Sequence, residues 1–422
     1  MESRSVQRLQ VLDNHVQTNK TFNTSRILPK SDDDVVILAY ARTAMTKAKK
    51  GAQRDTCPEA MLAPVFKAVV QKSGVDPKLI EDVCIGNCLQ PGAGAYSSRI
   101  AMFLAGYPET ASLQAVNRQC SSGLQAVMNI ANAIRARQID IGVGGGVESM
   151  SLFSMDSIVD PSLLANEVFE VEGARNCLMN MGTTAENVAE KYKISRDVQD
   201  QMAVESNQKA AKAQKAGLFA QEITVYESIV KDKDGAEVKI IIDKDDGIRE
   251  DTTLESLKKL KPAFKKDGGS VTAGNSSQVT DGAAAVLLAR RDVANKLGLK
   301  IKGRIVGFAV AGCPPEIMGI GPAVAIPPAL KKAGLTINDI DVFEINEAFA
   351  SQATYCVKEL NIPKEKLNPR GGAIALGHPL GCTGARMVTT LFSELERTNK
   401  KFGIISMCIG TGMGAAGIFE RE

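Results

Sequence analysis

The chain has 422 residues, of which 44% are hydrophobic, 23% are charged and only two are histidines. A chain of this length can bury a sizeable core in two or three domains, which excludes a protein that is disordered throughout. Its formal net charge of +3 is far below that of the strongly basic proteins that bind nucleic acids. No apolar run approaches the roughly 18 residues that a membrane span needs.

The composition favours an α/β protein with free thiols. Aromatic residues make up 5% of the chain, so the core must come from aliphatic side chains and from close backbone contacts at the 37 glycines. The nine cysteines are spread thinly and are odd in number, unlike those of a disulfide scaffold, and their spacing predicts no metal site. No permanently bound cofactor is expected. Because His15 lies in a polar leader, His378 is the one candidate for a catalytic histidine.

Residues 1–33 form a leader that we expect to carry a targeting signal. Apolar residues recur at helical spacing between residues 6 and 16, which predicts a short amphipathic helix. Arg8-Leu9, five residues and then His15-Val16 resemble an N-terminal peroxisomal signal read by an import receptor, although Val16 differs from the usual last residue. The predicted location is the peroxisome, with the mitochondrion and the cytosol as alternatives. Glu2 and Asp13 disfavour a mitochondrial presequence.

From residue 34 onward the sequence alternates predicted strands and helices, as is typical of a mostly parallel sheet covered by helices. Residues 155–270 interrupt this pattern and are predicted to form an inserted loop domain that covers the substrate site; apolar alternation resumes at residue 271. The predicted elements are strands at 35–40, 82–86 and 139–144, helices at 60–72 and 121–136 and, in the insertion, charged helices at 184–192 and 197–216, a polar hairpin around 231–242 and a lysine-rich run at 258–266.

The regions on either side of the insertion look like two copies of one α/β unit. Lys72-Ser73-Gly74-Val75 and the strand after it match Lys332-Ala333-Gly334-Leu335 and the strand after that, about 260 residues later. At nearly the same offset, Cys120 and His378 each open a predicted helix, so a pseudo-twofold axis between the copies would let these two residues face each other. The predicted halves are an N-terminal one of residues 34–154 and 271–296 and a C-terminal one of residues 297–422.

Three residues at these positions have the chemistry of nucleophilic catalysis. Cys120 opens a helix, where the macrodipole favours a thiolate over a thiol, and its flanking residues are too polar for a buried core helix. His378 lies between Gly377 and Pro379 and is better suited to act as a base than to pack in a core. Cys408 ends a strand that enters a glycine-rich turn, where a thiol could exchange protons and backbone N–H groups could stabilise an oxyanion.

Four sequence blocks carry these residues. They are Asn117-Arg118-Gln119-Cys120-Ser121-Ser122-Gly123, Asn346-Glu347-Ala348-Phe349, Gly377-His378-Pro379 and Cys408-Ile409-Gly410-Thr411-Gly412. In order and spacing they resemble the active-site blocks of the thiolases, in particular the peroxisomal type of 3-ketoacyl-CoA thiolase, and the resemblance covers nearly all of residues 35–422. It implies the thiolase fold, in which two duplicated α/β halves form a five-layered αβαβα sandwich of two mixed sheets and three helical layers. It also implies a homodimer.

The resemblance also assigns roles. It implies that Cys120 is the acylated nucleophile, His378 its activating base and Cys408 a second acid and base. Asn346, through a bound water, would hold the enolate oxygen with His378, and the backbone amides of Cys120 and Gly410 would stabilise the tetrahedral intermediates. The implied reaction is the β-oxidation step in which CoA, the co-substrate, cleaves a 3-ketoacyl-CoA into acetyl-CoA and a shortened acyl-CoA.

Substrate binding is predicted from the same resemblance. Arg249 and Ser277 match positions that contact CoA in the family, and Met181 could line the acyl pocket. Relatives specific for acetoacetyl-CoA usually carry His-Met-Gly where this chain has Asn180-Met181-Gly182, which favours a degradative enzyme that accepts varied chain lengths.

Three other interpretations fit parts of the sequence. An acetoacetyl-CoA thiolase working in the condensing direction is the alternative within the same chemistry. A thiolase-like protein that binds acyl-CoA or lipid without catalysis is disfavoured because Cys120, His378, Asn346 and Cys408 are all present. A ketoacyl synthase would need two histidines, or histidine and asparagine, beside its cysteine; the position of His15 excludes the first arrangement and Cys408 disfavours the second.

Overall fold

The computed structural model describes residues 29–155 and 158–422. The residues of the predicted targeting signal, Arg8-Leu9 and His15-Val16, lie outside the described residues, so the signal stays a prediction. Within the described ranges, no helix combines the length and the apolar character needed to cross a bilayer.

The strands form one large mixed sheet and one separate hairpin. They are β1 (Val35–Arg42), β2 (Thr46–Lys47), β3 (Asp82–Gly86), β4 (Ser112–Val116), β5 (Ile141–Ser149), β6 (Tyr226–Lys231), β7 (Glu237–Ile242), β8 (Thr280–Arg290), β9 (Gly303–Gly312), β10 (Val342–Ile345), β11 (Phe402–Ile409) and β12 (Met413–Arg421). In the large sheet the order is β10-β11-β12-β9-β1-β8-β5-β3-β4, with β2 paired to β8, while β6 and β7 form the hairpin. The strand predicted at 82–86 and the hairpin near 231–242 are thereby confirmed.

The helices alternate with these strands as the sequence predicts. They are α1 (Pro58–Ser73), α2 (Ala95–Leu104), α3 (Ser122–Arg135), α4 (Glu167–Glu170), α5 (Glu172–Asn176), α6 (Met181–Lys191), α7 (Arg196–Lys215), α8 (Leu254–Lys258), α9 (Arg291–Lys296), α10 (Gly321–Ala333), α11 (Ala350–Glu359), α12 (Ala373–Leu376) and α13 (Leu380–Thr398). Short 3₁₀ turns occur at Pro77–Leu79, Pro91–Gly94, Gln119–Ser121, Pro161–Leu163, Pro315–Ile320, Ile337–Asp339 and Lys364–Lys366. The helices predicted at 60–72, 121–136, 184–192 and 197–216 are observed as α1, α3, α6 and α7.

The two halves repeat one pattern of strand pairing, which confirms the predicted duplication. In the first half, β3 pairs in parallel with β5, and β5, β8 and β1 pair antiparallel in turn. In the second half, β10 pairs in parallel with β11, and β11, β12 and β9 pair antiparallel in turn. Only two residue pairs, Val36 with Arg304 and Ile37 with Gly303, join β1 to β9. The two sheets expected from the sequence therefore share one continuous hydrogen-bonded path.

Three apolar clusters fill the spaces between these layers. The first lies between the N-terminal strands and the outer helix α1, which contributes Leu62 and Phe66. The second surrounds the central helices α3 and α13, with Val127 and Leu391 among its fully buried members. The third lies between the C-terminal strands and α10, which contributes Ile326. Helices thus lie outside and between the strands of the two halves, as the five-layered sandwich requires.

Glycines allow the first turns of the two central helices to touch. A Cβ atom on Gly123 would lie 2.7 Å from the carbonyl oxygen of Gly381, and one on Gly384 would lie 2.3 Å from the backbone nitrogen of Leu124. Because side-chain carbons do not pack this closely, only glycine permits this backbone-to-backbone contact. Cys120 and His378, which directly precede these turns, are brought together as the duplication predicts.

The strand predicted at 139–144 is longer than expected. It begins at Ile141 and continues through three consecutive glycines to Ser149 as β5. A Cβ atom on Gly144 would lie 2.4 Å from the Cα of Val127, and one on Gly146 would lie 2.1 Å from the carbonyl oxygen of Gly381. These glycines therefore serve close packing against the central helices and do not form a turn.

The region between β5 and β8, predicted as the loop domain, is bound to both halves by buried polar contacts. Arg42 in β1 forms ion pairs with Glu222 and Asp245 of this region, at 3.1 and 2.7 Å, and all three side chains are buried. The Ser206 hydroxyl of α7 donates to Glu347 of the C-terminal half at 2.6 Å. The exact domain boundaries stay a prediction.

Candidate active site

A cavity of about 270 Å³ lies at the place where the two central helices begin. It brings together Cys120, His378, Met181 and Ser277, four of the predicted site residues. Its other lining residues are mostly apolar: Met150, Met155, Asn180, Gly182, Phe264, Ser276, Gln278, Val279, Met318, Ala348, Phe349 and Leu380. The cavity therefore brings Cys120 and His378 together within a mostly apolar lining.

Cys120 lies in the single 3₁₀ turn that directly precedes α3. The backbone amides of Cys120 itself and of Gly410 are close enough to its Sγ to lower the pKa of the thiol. Burial acts in the opposite direction and more strongly, so the pKa is raised to about 11. The amides act in the direction predicted for a helix start, but the loss of hydration outweighs them in the resting site. Cys120 rests as a thiol and needs a base.

His378 is held in place immediately before α13. Gly377 has φ of +99°, and a Cβ atom there would lie 2.1 Å from the Thr280 hydroxyl, so this position requires glycine. The imidazole Nδ1 lies 2.7 Å from the Thr383 hydroxyl, and the backbone N–H of His378 donates to the Gln278 carbonyl. Burial, assisted by the nearby Arg386 guanidinium, lowers the pKa of His378 to about 3. The imidazole is therefore neutral in the resting site.

Asn346 directly follows β10 and contacts the same histidine. Its Nδ2 lies 3.5 and 3.4 Å from the His378 Nδ1 and Nε2 atoms. Its backbone N–H donates to the Ser406 carbonyl at 2.9 Å, which fixes it beside β11. Its side-chain Oδ1 is buried and has no hydrogen-bond partner among the described residues. An orphaned amide oxygen next to an imidazole suits a position that holds a water, as predicted for this residue.

Cys408 lies near the end of β11, fully buried behind the cavity wall. It packs against Met318 and Ala348, both of which line the cavity. Burial raises the pKa of the Cys408 thiol well above its ordinary value, and the proximity of Cys120 raises it further. A protonated thiol in this position can donate a proton.

The turn after β11 supplies the second amide. Thr411 and Gly412 adopt left-handed backbone conformations, with φ of +65° and +92°. A Cβ atom on Gly410 would lie 1.8 Å from the Gln119 Oε1 and 3.6 Å from the Met181 Sδ. Glycine at 410 therefore leaves room for the end of the Gln119 side chain beside it.

The residues predicted to bind CoA are distributed more widely. Ser277 lines the cavity and its backbone N–H donates to the Ala348 carbonyl at 2.9 Å. Arg249 is exposed outside the cavity lining, and its backbone N–H donates to the Asn207 side chain. Asn180 lines the cavity while its side-chain oxygen caps α6 by accepting from the Thr183 N–H.

Two features of the site escape sequence reasoning. The Phe264 ring, from the inserted region, packs on Gly182, where a Cβ atom would lie 2.2 Å away, and meets Phe349 edge to face at 6.0 Å. Glu148 is buried near Cys120. Its carboxylate accepts hydrogen bonds from the backbone N–H groups of Cys88, Leu89 and Gly381. Burial raises the pKa of Glu148 to about 7. A glutamate inside the apolar strand β5 was the available signal, whereas Phe264 was indistinguishable from a core residue.

Comparison with known proteins identifies the family. Residues 35–292 match the family model of the thiolase N-terminal domain, and residues 299–421 match that of the thiolase C-terminal domain. The human peroxisomal 3-ketoacyl-CoA thiolase is 57% identical over 388 residues, covering 92% of this chain and 91% of the relative.

Solved structures are similar over the same extent. The dimeric peroxisomal thiolase of Saccharomyces cerevisiae is 49% identical, with a TM-score of 0.86, and the match covers 94% of this chain and all of that chain. The human mitochondrial 3-ketoacyl-CoA thiolase in complex with CoA is 37% identical, with a TM-score of 0.82, and the match covers 92% of this chain and 98% of that chain.

Proposed function

The chain belongs to the thiolase family and is an acyltransferase that cleaves 3-ketoacyl-CoA, and we propose that Cys120, His378 and Cys408 divide this chemistry among them. The observation that carries the proposal is the cavity that Cys120 shares with the neutral imidazole of His378, with the backbone amides of Cys120 and Gly410 close enough to lower the pKa of the Cys120 thiol. Such amides stabilise a carbonyl oxygen that becomes negatively charged, and a neutral imidazole accepts a thiol proton.

In the first half-reaction, Cys120 attacks the 3-keto carbon of the substrate. His378 takes the thiol proton, and the carbonyl oxygen becomes an oxyanion facing the amides of Cys120 and Gly410. Collapse of this intermediate breaks the bond between C2 and C3, leaving the shortened acyl group on Cys120. The departing acetyl-CoA enolate takes a proton at C2 from Cys408, which becomes a thiolate.

The enolate needs its own stabilisation. Its oxygen would lie near His378, which now carries the extra proton, and near a water held by the orphaned Asn346 side-chain oxygen. This second site is separate from the amides that face Cys120, so the tetrahedral intermediates and the enolate each have an oxyanion site of their own.

In the second half-reaction, CoA removes the acyl group. The Cys408 thiolate takes the proton of the CoA thiol, and the resulting CoA thiolate attacks the acyl carbon. Cys120 leaves as a thiolate and regains its proton from His378. The products are acetyl-CoA and an acyl-CoA two carbons shorter, and every group returns to its resting protonation state.

The substrate class is proposed to be 3-ketoacyl-CoA of varied chain length. Asn180 and the apolar lining of Met181, Phe264 and Val279 offer no group that would select the short acetoacetyl chain. A series of 3-ketoacyl-CoA substrates of increasing length tests this: we expect kcat/KM to stay level or rise beyond four carbons. A preference for acetoacetyl-CoA by about tenfold or more would support the alternative of an acetoacetyl-CoA thiolase. Absence of CoA-dependent loss of every substrate would instead favour the non-catalytic alternative.

CoA is proposed to enter as co-substrate past Ser277, with Arg249 facing its phosphates. Ser277 lines the cavity, and the exposed Arg249 carries a positive charge suited to a phosphate. Arg249→Gln should raise the KM for CoA several-fold while leaving kcat nearly unchanged, because the residue lies away from the reacting atoms.

A homodimer is proposed as the working form. Strand β4 lies at the edge of the large sheet. The neighbouring helix α2 exposes Tyr96, Ile100, Phe103 and Leu104, with Tyr96 91% exposed. An apolar patch beside a free strand edge is typical of an interface, and the yeast relative is dimeric. Light scattering should give twice the chain mass.

The peroxisome is the proposed location, with an import receptor for the N-terminal signal as partner. The similar human and yeast proteins are peroxisomal. Residues 1–33 fused to a fluorescent protein should be imported into peroxisomes, and Arg8→Ala in the same fusion should leave it in the cytosol. A cytosolic signal from the unaltered fusion would contradict the predicted signal.

A further inference from the structure

We propose that Gln119 and Thr411 are positioning residues for the oxyanion site, forming one hydrogen-bonded pair that fixes the Cys120 and Gly410 amides relative to each other. The inference rests on the proposed function, because it assigns a support to the amides that the proposed reaction uses. Neither side chain lines the cavity, so both would act through the amides and not by touching substrate.

The first observation is backbone strain at both residues. Gln119 has φ of +48° and directly precedes Cys120, while Thr411 has φ of +65° and directly follows Gly410. Side chains other than glycine rarely adopt this left-handed region, and a β-branched threonine is especially disfavoured there. Such conformations persist where surrounding contacts impose them, and they concentrate at functional sites.

The second observation is a hydrogen-bond chain between the two strained residues. The Gln119 Nε2 donates to the Thr411 Oγ1 at 3.2 Å, and that hydroxyl donates in turn to the Gly410 carbonyl at 2.5 Å. The Gln119 Oε1 occupies the space beside Gly410 that a Cβ atom would fill. The pair therefore packs against Gly410 and bonds to it.

Gln119 is itself anchored at its backbone. Its N–H donates to the Asn117 side chain at 2.8 Å, and its carbonyl accepts from the Ser122 hydroxyl at 2.6 Å and from the Cys88 thiol at 2.9 Å. The side chain that reaches Thr411 therefore projects from a fixed backbone.

The Cys120 and Gly410 amides belong to different halves of the molecule, so a bond between Gln119 and Thr411 can fix their relative position. Cys120 is carried by α3 of the N-terminal half and Gly410 by the turn after β11 of the C-terminal half. Their separation therefore depends on how the halves meet, and hydrogen bonds to an oxyanion weaken steeply when donors shift or tilt. Gln119 and Thr411 form a direct side-chain bond between the halves at this point.

The test compares Gln119→Met and Thr411→Gly with Thr411→Ser. Methionine matches the length of glutamine without its amide, and glycine accepts the left-handed backbone without the hydroxyl. Both variants should slow acylation of Cys120 by 3-ketoacyl-CoA about 5- to 10-fold, with KM changed less than twofold. Thr411→Ser keeps the hydroxyl and should remain within twofold of the wild type.

Alkylation of Cys120 by iodoacetamide separates positioning from general damage. Alkylation depends on the amides only through the pKa of the thiol and creates no carbonyl oxyanion, so its rate should fall clearly less than that of acylation in both variants. Equal losses in acylation and alkylation would show a merely structural role and overturn the proposal. So would normal acylation by Thr411→Gly, whose backbone is less strained than that of the wild type.

The double variant completes the test. If the two side chains act as one pair, Gln119→Met combined with Thr411→Gly should acylate about as slowly as either single variant; a loss equal to the product of the two would overturn the pairing. A wild-type chain that performs no thiolysis would refute the proposed function itself, whereas an active wild type with unaffected variants would refute only this inference.

Discussion

The starts of the two central helices occupy equivalent positions in the two halves, yet their functional groups are tuned in opposite directions. Before α3, burial raises the pKa of the Cys120 thiol to about 11; before α13, burial lowers the pKa of His378 to about 3. Loss of hydration disfavours the charged form of each group. The resting site therefore holds a neutral thiol beside a neutral imidazole, and separated charge arises only as the reaction proceeds.

The two halves share one fold, but they contribute different groups to the site. The N-terminal half contributes the nucleophile and one amide. The C-terminal half contributes the base, its contacts to Thr383 and Asn346, the second thiol Cys408 and the amide of Gly410. One copy of the unit thus carries the nucleophile, and the other carries most of the acid, base and electrostatic chemistry.

The largest effect is expected at the nucleophile. Cys120→Ser should reduce thiolysis by at least about 10³-fold, because a hydroxyl is far harder to deprotonate than a thiol. Intact-mass measurement after brief exposure to substrate should show no acyl adduct. Cys57→Ser, at an exposed cysteine before α1, serves as the matched control and should react normally. An adduct on the Cys120→Ser protein would place the nucleophile elsewhere.

Loss of the base should have the next largest effect. His378→Gln keeps a polar side chain of similar size but cannot accept the thiol proton, and acylation should slow by about 10²- to 10⁴-fold. Stopped-flow measurement of acetyl-CoA release in the first turnover checks this. Wild-type acylation by this variant would show that His378 is not the base that takes the Cys120 proton, and that the two helix starts do not divide the roles of nucleophile and base.

Removal of the second thiol should impair both half-reactions. Cys408→Ala leaves no group to protonate the enolate or to take the CoA proton, so overall turnover should fall by about 10²-fold. Separate single-turnover assays of acylation and of acyl transfer to CoA should both be slower. If only one half-reaction slows, Cys408 serves a single proton transfer and the division of roles is wrong.

The smallest effect concerns the pH dependence of stability. His378 has a pKa of about 3 in the folded chain and near 6.5 when unfolded, so between these values the unfolded chain binds the extra proton. Its contribution to stability is therefore complete above pH 6.5 and is lost as the pH falls towards 3. Urea unfolding at pH 8, 6 and 5 should show the wild type losing more stability on acidification than His378→Gln, and parallel losses would contradict the buried neutral imidazole.

The fold and the candidate site residues are predictable because short, distinct sequence patterns mark them. The repeat near residues 72 and 332 indicates two similar halves, and polar blocks around Cys120 and His378 stand out at the starts of otherwise apolar helices. The resting protonation state of Cys120 is not predictable in this way, because it depends on a balance between burial and amide contacts that only the packed structure reveals. The extension of β5 through its three glycines is likewise visible only in the packed structure, where these glycines contact the central helices.

The features of the site that the sequence does not predict depend on contacts between distant segments of the chain. Phe264 reaches the cavity from the inserted region, and Gln119 meets Thr411 across the two halves. Nothing in the local sequence marks either contact, because each depends on how separate elements are placed in three dimensions.

The most direct test of the account is to trap the covalent intermediate on the wild-type chain. The protein is mixed with 3-ketooctanoyl-CoA without free CoA, quenched with acid and analysed by intact mass and peptide mapping. We predict one hexanoyl group per chain on the peptide that contains Cys120, with one equivalent of acetyl-CoA released and the adduct removed by added CoA. An unmodified chain that nevertheless turns over substrate when CoA is present, or an adduct on another residue, would contradict the central claim.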